Sequence, residues 1–312
     1  MDAVDRVVSG DVRALARAIS VVEENAAGSG ALLSGVFPHT GRAIVIGVTG
    51  SPGAGKSSLV DRLVGSFREQ GRRVGVVAVD PSSAYSGGAI LGDRVRMQGH
   101  ATDPGVFIRS MASRGHMGGL SRAASDAVDL MDAAGYDPVI IETVGVGQDE
   151  IEIARAADVV TVVLVPGMGD DIQAIKAGIL EIADLFVINK ADRPGADKVA
   201  ADLDAMMALA PAAAATRPPI FRTIATSGEG VAALRDGLMA HVAAAGAERR
   251  AQRRFERAEM RFLGVLTERF LRDVRARVLP GTQFTNLVTE IAERRLDPYT
   301  AADRVMREGG QR

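Results

Sequence analysis

"GSPGAGKS", residues 50–57, stands directly after the apolar run "AIVIGVT" (43–49) and directly before the helix-like "SLVDRLVGSFREQ" (58–70). Gly50, Gly55, Lys56 and Ser57 satisfy G-x-x-x-x-G-K-[ST], and a strand before with a helix after is the context that gives this pattern meaning. Ser51, Pro52, Gly53 and Ala54 fill a loop whose glycines let the backbone wrap closely around phosphate, and Ser58 continues it into the helix. Successive N–H groups and the helix N-terminus then point at the anion. Lys56 places a point charge on the β and γ phosphates. The Ser57 hydroxyl has the reach to ligate a magnesium ion bridging them.

Working outward, apolar β-branched runs alternate with helical segments: "VGVVAV" (74–79), "PVIIET" (138–143), "DVVTVVLVP" (158–166), "LFVINK" (185–190) and "PIFRTIA" (219–225). Continuous rather than alternating apolar runs indicate a parallel sheet covered by helices on both faces. The expected fold is therefore α/β, a doubly wound, mostly parallel sheet. Residues 1–40 read as a helical extension, with Val4, Val7, Val8, Val12, Leu15 and Ile19 near helical spacing; 41–245 read as the phosphate-loop domain. Residues 246–312 show no strand alternation and read as a helical arm, with turns at "LPGT" (279–282) and "LDPYT" (296–300).

A phosphate loop does not choose between adenine and guanine, but "NKAD" (189–192), at the end of an expected strand, does. Guanine presents two donors on one edge, N1–H and the exocyclic amine, and Asp192 can accept both. Asn189 either bonds the purine edge or braces the phosphate loop, and the Lys190 stem can lie along the base. Thr226, Ser227 and Gly228 follow the next strand and can offer a backbone donor to the base carbonyl. GTP and GDP are thus the expected nucleotides.

Acids close other strands. Asp80 ends "VGVVAVD" and Glu142 ends "PVIIE", so both belong at the carboxyl edge of the sheet where nucleotide binds. Asp93 sits in the glycine-rich "GGAILGDRVRM" (87–97). Asp93 is expected to help hold Mg2+, Asp80 to hold metal-bound water or orient the attacking water, and Glu142 to support the metal shell. Lys56, Asp80 and Glu142 form the catalytic set. Gly145, Gly147 and Gln148 follow Glu142 in a loop suited to sensing the γ-phosphate. "PGMGDDIQAIK" (166–176), with Asp170, Asp171 and Lys176, reads as a further switch segment, or as a helix start capped by one of its acids.

Composition excludes several other classes. The chain has 312 residues, 47% of them hydrophobic, and no cysteine, so no disulfide framework or thiolate metal site is available. A formal net charge of −2 provides no global attraction to nucleic acid. The basic "RRAQRRFER" (249–257) falls on an amphipathic pattern marked by Phe255, Phe262, Leu266, Phe270, Val274 and Val278, with a solvated Arg-rich face. No apolar run approaches the roughly 20 residues that span a bilayer. "MDAVDRVVSGDVRAL" carries acids where a secretory signal carries bases, so a cytoplasmic protein is expected.

Six stretches together resemble the MeaB/ArgK family, GTPases associated with methylmalonyl-CoA mutase within the SIMIBI class. They are "GVTGSPGAGKSSL" (47–59), "VAVDPSS" (77–83), "GGAILGDRVRM" (87–97), "ETVGVGQDE" (142–150), "PGMGDDIQAIKAGILEIAD" (166–184) and "NKAD" (189–192), with "RALARAIS" (13–20) similar as well. The resemblance implies that Lys56, Ser57, Asp80, Asp93 and Glu142 form the magnesium–phosphate site and that Lys176 couples hydrolysis to a partner. It also implies a homodimer built through the C-terminal helices and a role as GTP-fuelled chaperone of an adenosylcobalamin-dependent acyl-CoA mutase, gating cofactor loading and protecting the mutase. Other readings of the same residues are a kinase passing the γ-phosphate to an acceptor, a nickel metallochaperone, and a nucleotide binder that barely hydrolyses. The kinase needs an acceptor pocket and the metallochaperone a cysteine or histidine cargo site, neither of which the sequence displays.

Overall fold

In the computed structural model, described for residues 2–81, 98–100, 102–113, 122–143, 153, 156–167, 182–209 and 217–310, the apolar runs become the strands of one sheet. They are β1 (Val45–Gly50), β2 (Val74–Pro81), β3 (Val106–Ser113), β4 (Val139–Thr143), β5 (Val159–Leu164), β6 (Leu185–Asn189) and β7 (Ile220–Thr223). Their spatial order is β3-β2-β4-β1-β5-β6-β7, and every neighbouring pair is parallel. The expected doubly wound architecture is present. β1 lies between β4 and β5, so the chain leaves it in one direction and later returns on its other side. That reversal opens the crevice at the carboxyl ends of the strands in which open α/β sheets bind ligands.

Period-two side-chain alternation divides the apolar residues between two cores. Val45, Val77, Val79, Val139, Ile141, Val160, Val162, Phe186 and Ile188 face one side; Ile46, Val48, Val74, Val76, Ile140, Val159, Val163, Leu185 and Val187 face the other. Helices Lys56–Glu69 and Val231–Ala244 cover the second face through Leu59, Leu63, Phe67, Leu234 and Leu238. The first face is covered by helix Arg122–Ala133 and by the N-terminal helices, whose Leu15, Ile19 and Val22 join the same core as Leu130, Met131 and Tyr136. Each such fully buried aliphatic side chain contributes about 1.5–3 kcal/mol, so the N-terminal helices are structural members of this layer.

β3 is a strand that the sequence reading did not identify. "VFIRSMAS" interrupts its apolar residues with Arg109 and Ser110, and the strand stands at the edge of the sheet. Arg109 there reaches Ser20 Oγ at 3.2 Å and Glu23 Oε2 at 2.5 Å.

Two compact units divide the chain, Met1–Arg254 and Phe255–Arg312. The second consists of most of helix Gly246–Arg277 together with Gln283–Ala292 and Pro298–Gly310. Within it the Arg275 guanidinium stacks 4.8 Å above the Phe284 ring. Phe255 and Phe262 are 65% and 66% exposed, so this part of the long helix presents apolar side chains at its surface. Among the described residues, no helix is long and apolar enough to cross a membrane.

Candidate nucleotide site

The phosphate loop follows from two backbone constraints. Gly50 leaves β1 at φ +135°, where an added Cβ would stand 2.1 Å from Val163 O of β5. Gly55 caps the next helix in the left-handed region at φ +82°. Neither conformation suits a residue with a side chain. The helix begins at Lys56, so Lys56 and Ser57 occupy the turn whose N–H groups are directed at the loop. Both are buried. Lys56 Nζ donates to Gly50 O at 2.7 Å and Ser51 O at 2.9 Å, folding the ammonium back over the loop.

Ser57 meets an acid from a different strand. Glu142 aligns with Val48 of β1 and Ala78 of β2, and its Oε1 accepts the Ser57 hydroxyl at 2.6 Å. Both side chains are over nine-tenths buried. One residue further, Thr143 Oγ1 donates to Thr49 Oγ1 at 3.2 Å, tying β4 to β1 just below the loop. A hydroxyl and a carboxylate at that separation form a hard-oxygen pair of the kind magnesium selects, and magnesium bound with phosphate needs only one or two protein carboxylates. The residues present therefore fit the ion.

On the other side of the loop, Asn189 ends β6 and is buried. Its Nδ2 donates to Ala54 O at 2.8 Å, and its Oδ1 accepts from Thr223 Oγ1 and Ala225 N, each at 3.2 Å. Of the two roles open to Asn189 in the sequence, the observed contacts are those of a brace for the phosphate loop. Lys190 follows at φ +54°, and its Nζ donates to Gly53 O at 2.9 Å. Asp192 is exposed in the next turn, which is fixed to β7 by Ala191 N donating to Thr223 O at 3.1 Å. Thr226 and Ser227 are exposed in a turn closed by Ser227 N and Gly228 N donating to Ile224 O at 3.1 and 2.8 Å.

The structure thus brings Gly50–Ser58, Glu142, Asn189–Asp192 and Thr226–Gly228 to one edge of the sheet. Asp80 lies at the same edge near the end of β2, opposite Ala112 of β3. Asp93, Gly145, Gly147, Gln148, Asp170, Asp171 and Lys176 fall outside the described residues. Two contributors had no sequence signal: Thr223, which orients Asn189, and Arg62, whose Nε and Nη2 donate to Ala225 O and Thr226 O at 3.1 and 2.9 Å.

The segment after 97 is moored to the phosphate-loop helix. Arg68 Nε and Nη2 donate to Asp103 Oδ2 and Oδ1 at 2.8 and 2.9 Å, and His100 Nε2 lies 3.1 Å from Asp61 O. The Arg68 guanidinium, with the Gly105 N–H, holds the Asp103 carboxyl below the usual carboxylate range.

Comparison with known proteins adds three findings. Residues 15–278 match the family described as Methylmalonyl Co-A mutase-associated GTPase MeaB. A Pyrococcus horikoshii protein named as a GTPase is 44% identical over 97% of this chain and 96% of its own length, and the mitochondrial methylmalonic aciduria type A homolog of Mus musculus is 41% identical over 61% of this chain and 47% of its own. A crystal structure described as an LAO/AO transport system kinase superposes with a TM-score of 0.72 at 28% identity, covering 98% of this chain and 95% of that one.

Proposed function

Because the chain belongs to the MeaB family of phosphate-loop GTPases, we propose that it hydrolyses GTP with Mg2+ as a chaperone of an adenosylcobalamin-dependent acyl-CoA mutase of the methylmalonyl-CoA type, gating cofactor loading and protecting the mutase. The observation that carries the GTPase half is the buried Ser57–Glu142 contact beside Lys56, on the sheet edge that also holds Asn189 and Asp192. The mutase half rests on the family's name. GTP, GDP and phosphate would be handled by this chain, with the cobalamin belonging to the partner.

In this reading Gly50–Ser58 cradle the phosphates with backbone N–H groups, and Lys56 moves its ammonium from Gly50 O and Ser51 O onto the β and γ oxygens. Ser57 and Glu142, with Asp93 and Asp80, would hold magnesium, which supplies neutralisation of charge between the β and γ phosphates. Asp80 would hold metal-bound water or orient the attacking water. The water oxygen forms a bond to Pγ, the bond to the β–γ bridging oxygen breaks, and GDP leaves with that electron pair while the water proton passes to solvent or phosphate. Asp192 accepts the two guanine donors, Lys190 lies along the base, and the Thr226–Gly228 turn offers one backbone donor to its carbonyl. Gly145, Gly147 and Gln148 respond to loss of the γ-phosphate. Asp170, Asp171 and Lys176 pass that response to the mutase.

The exposed stripe of Phe255, Phe262, Leu266 and Phe270 supports a homodimer through the arm, since a second copy would remove it from water. A cytoplasmic location completes the reading.

The test is phosphate release from GTP and ATP, alone and with the adenosylcobalamin-dependent mutase of the same genome. Slow release from GTP, faster with the mutase, is the expected result. A phosphorylated acceptor in place of free phosphate would replace this reading with a kinase, and indifference to the mutase would remove the client.

A further inference from the structure

We propose that Arg62 is a positioning residue for guanine recognition, one that fixes the Thr226–Gly228 turn to the helix carrying Lys56 and Ser57; this rests on the reading of that turn as the base-binding loop. Arg62 lies six residues beyond Lys56 on helix Lys56–Glu69, a displacement of about 9 Å along the axis. Its Nε donates to Ala225 O at 3.1 Å and its Nη2 to Thr226 O at 2.9 Å. The Ala225 N–H in turn donates to Asn189 Oδ1 at 3.2 Å. The peptide groups on the two sides of Ala225 are therefore held from two directions, one by the end of β6 and the other by the phosphate-loop helix.

This arrangement matters because the Arg62 bonds join the turn directly to the helix that carries Lys56 and Ser57. Ala225 is buried, but Thr226 and Ser227 are exposed and Gly228 is only half-buried. Past Ala225, Ser227 N and Gly228 N close the turn upon Ile224 O, Val231 N at the start of helix Val231–Ala244 donates to Gly228 O at 3.3 Å, and the Arg62 bonds tie the turn to the phosphate-loop helix. Both Arg62 partners are backbone carbonyls, so its effect is on where the backbone stands. A planar guanidinium that cannot lose its proton presents two donors at fixed separation to two successive carbonyls; an ammonium presents one point charge on a flexible stem.

The consequence is for base choice. A backbone N–H of this turn suits the 6-carbonyl of guanine or hypoxanthine and opposes the 6-amino group of adenine, donor against donor. That opposition persists only while the turn cannot move away. Arg62 sets the distance from the phosphate cradle to this N–H, which is a dimension of the bound nucleoside diphosphate. Loosening the turn weakens the favourable bond to guanine and relieves the clash with adenine.

The experiment is calorimetric titration of the full-length chain with GDP, inosine diphosphate and ADP in Mg2+, for the parent, Arg62→Met and Arg62→Lys. Arg62→Met keeps the apolar stem and removes both donors; it is expected to weaken GDP and inosine diphosphate alike by about tenfold, the loss expected from removing charge-assisted hydrogen bonds. ADP binding stays level or improves, so the GDP-to-ADP ratio narrows. Arg62→Lys recovers part of the ratio, and in steady state the KM for GTP rises more than kcat falls. Melting temperatures of both variants are recorded beside the titrations. Equal weakening of GDP and ADP, or an unchanged ratio in both variants, overturns the proposal and leaves Arg62 a plain fastening of the helix. A parent chain without preference for GDP over ADP is a different result: it removes the base-site reading itself.

Discussion

Asn189 and Ala54 share a hydrogen bond of 2.8 Å, and through it the strand that ends in the base motif supports the loop read as the phosphate cradle. The amide is buried and satisfied at both ends, by Ala54 O on one side and by Thr223 Oγ1 and Ala225 N on the other. Asn189→Ala leaves those groups without their partner. A stability loss of about 2 kcal/mol is expected in urea unfolding, together with weaker GDP binding. Unchanged binding with lowered stability would confine Asn189 to a structural role.

The two loop glycines should rank differently. An added Cβ at Gly55 would approach Asn189 Nδ2 to 2.6 Å, a side-chain atom that can turn aside, whereas at Gly50 it would meet the Val163 carbonyl at 2.1 Å. Gly55→Ala is therefore expected to fold with a loss of roughly 1–2 kcal/mol from its positive φ and to lose the Asn189 bond as well. Gly50→Ala is expected to yield little folded protein. Soluble yield and melting temperature decide the order, and equal tolerance of both would contradict the geometry.

Asp192→Asn exchanges one acceptor of the exposed carboxylate for a donor. Guanine then loses its charge-assisted pair, about 3 kcal/mol or roughly 100-fold in affinity. Xanthine, with a carbonyl where guanine has the amine, matches the Asn amide. Titration with GDP and xanthosine diphosphate should show the preference reverse. A variant that still prefers GDP would move base recognition away from Asp192.

Far from the loop, at the opposite end of β6, Asp184 accepts from Arg253 Nη2 at 2.7 Å and Val160 N at 2.9 Å, with His241 Nε2 3.3 Å away. Asp184 is buried, so Arg253→Met leaves a buried carboxylate with fewer partners. The expected loss is about 2–3 kcal/mol, below the usual range for a broken buried pair because the Val160 N–H and His241 remain. GDP affinity should not change. A neutral result in unfolding experiments would show that the pair offsets only its own desolvation.

The Asp103 carboxyl, held low by Arg68, gives a pH signature. Its folded pKa lies below the unfolded value near 3.8, so its contribution is complete above that pH and is lost as pH falls through the folded value. Asp103→Asn should therefore melt below the parent at pH 7, and the two melting curves should converge below about pH 4. A gap that stays constant down to pH 2.5 would argue that the carboxylate charge is not what matters.

The strands and the loop were legible because their signals are local. β-branched runs between turns, and glycines ahead of a lysine, carry their meaning in a dozen residues. β3 was not, since an edge strand needs no continuous apolar run and Arg109 and Ser110 broke the pattern. Asn189 has two possible roles in the sequence, and its bond to Ala54, 135 residues earlier, leaves no local signal there. Arg62 had no signal at all: its partners lie 163 and 164 residues away in the chain, and an arginine on an exposed helical position reads as solvated surface.

The sheet order also sets a timetable for synthesis. β1 pairs with β4 and β5 and with nothing made earlier, so Val45 has no strand beside it until Val139 has been translated. At about 5–20 residues per second, that interval of roughly 90 residues lasts about 5–20 s. Throughout it the nascent chain displays an apolar strand, together with the apolar face of the helix bearing Leu15 and Ile19. The strand made first is thus the one whose apolar residues wait longest for their neighbours, while β2 gains β3 within about 30 residues.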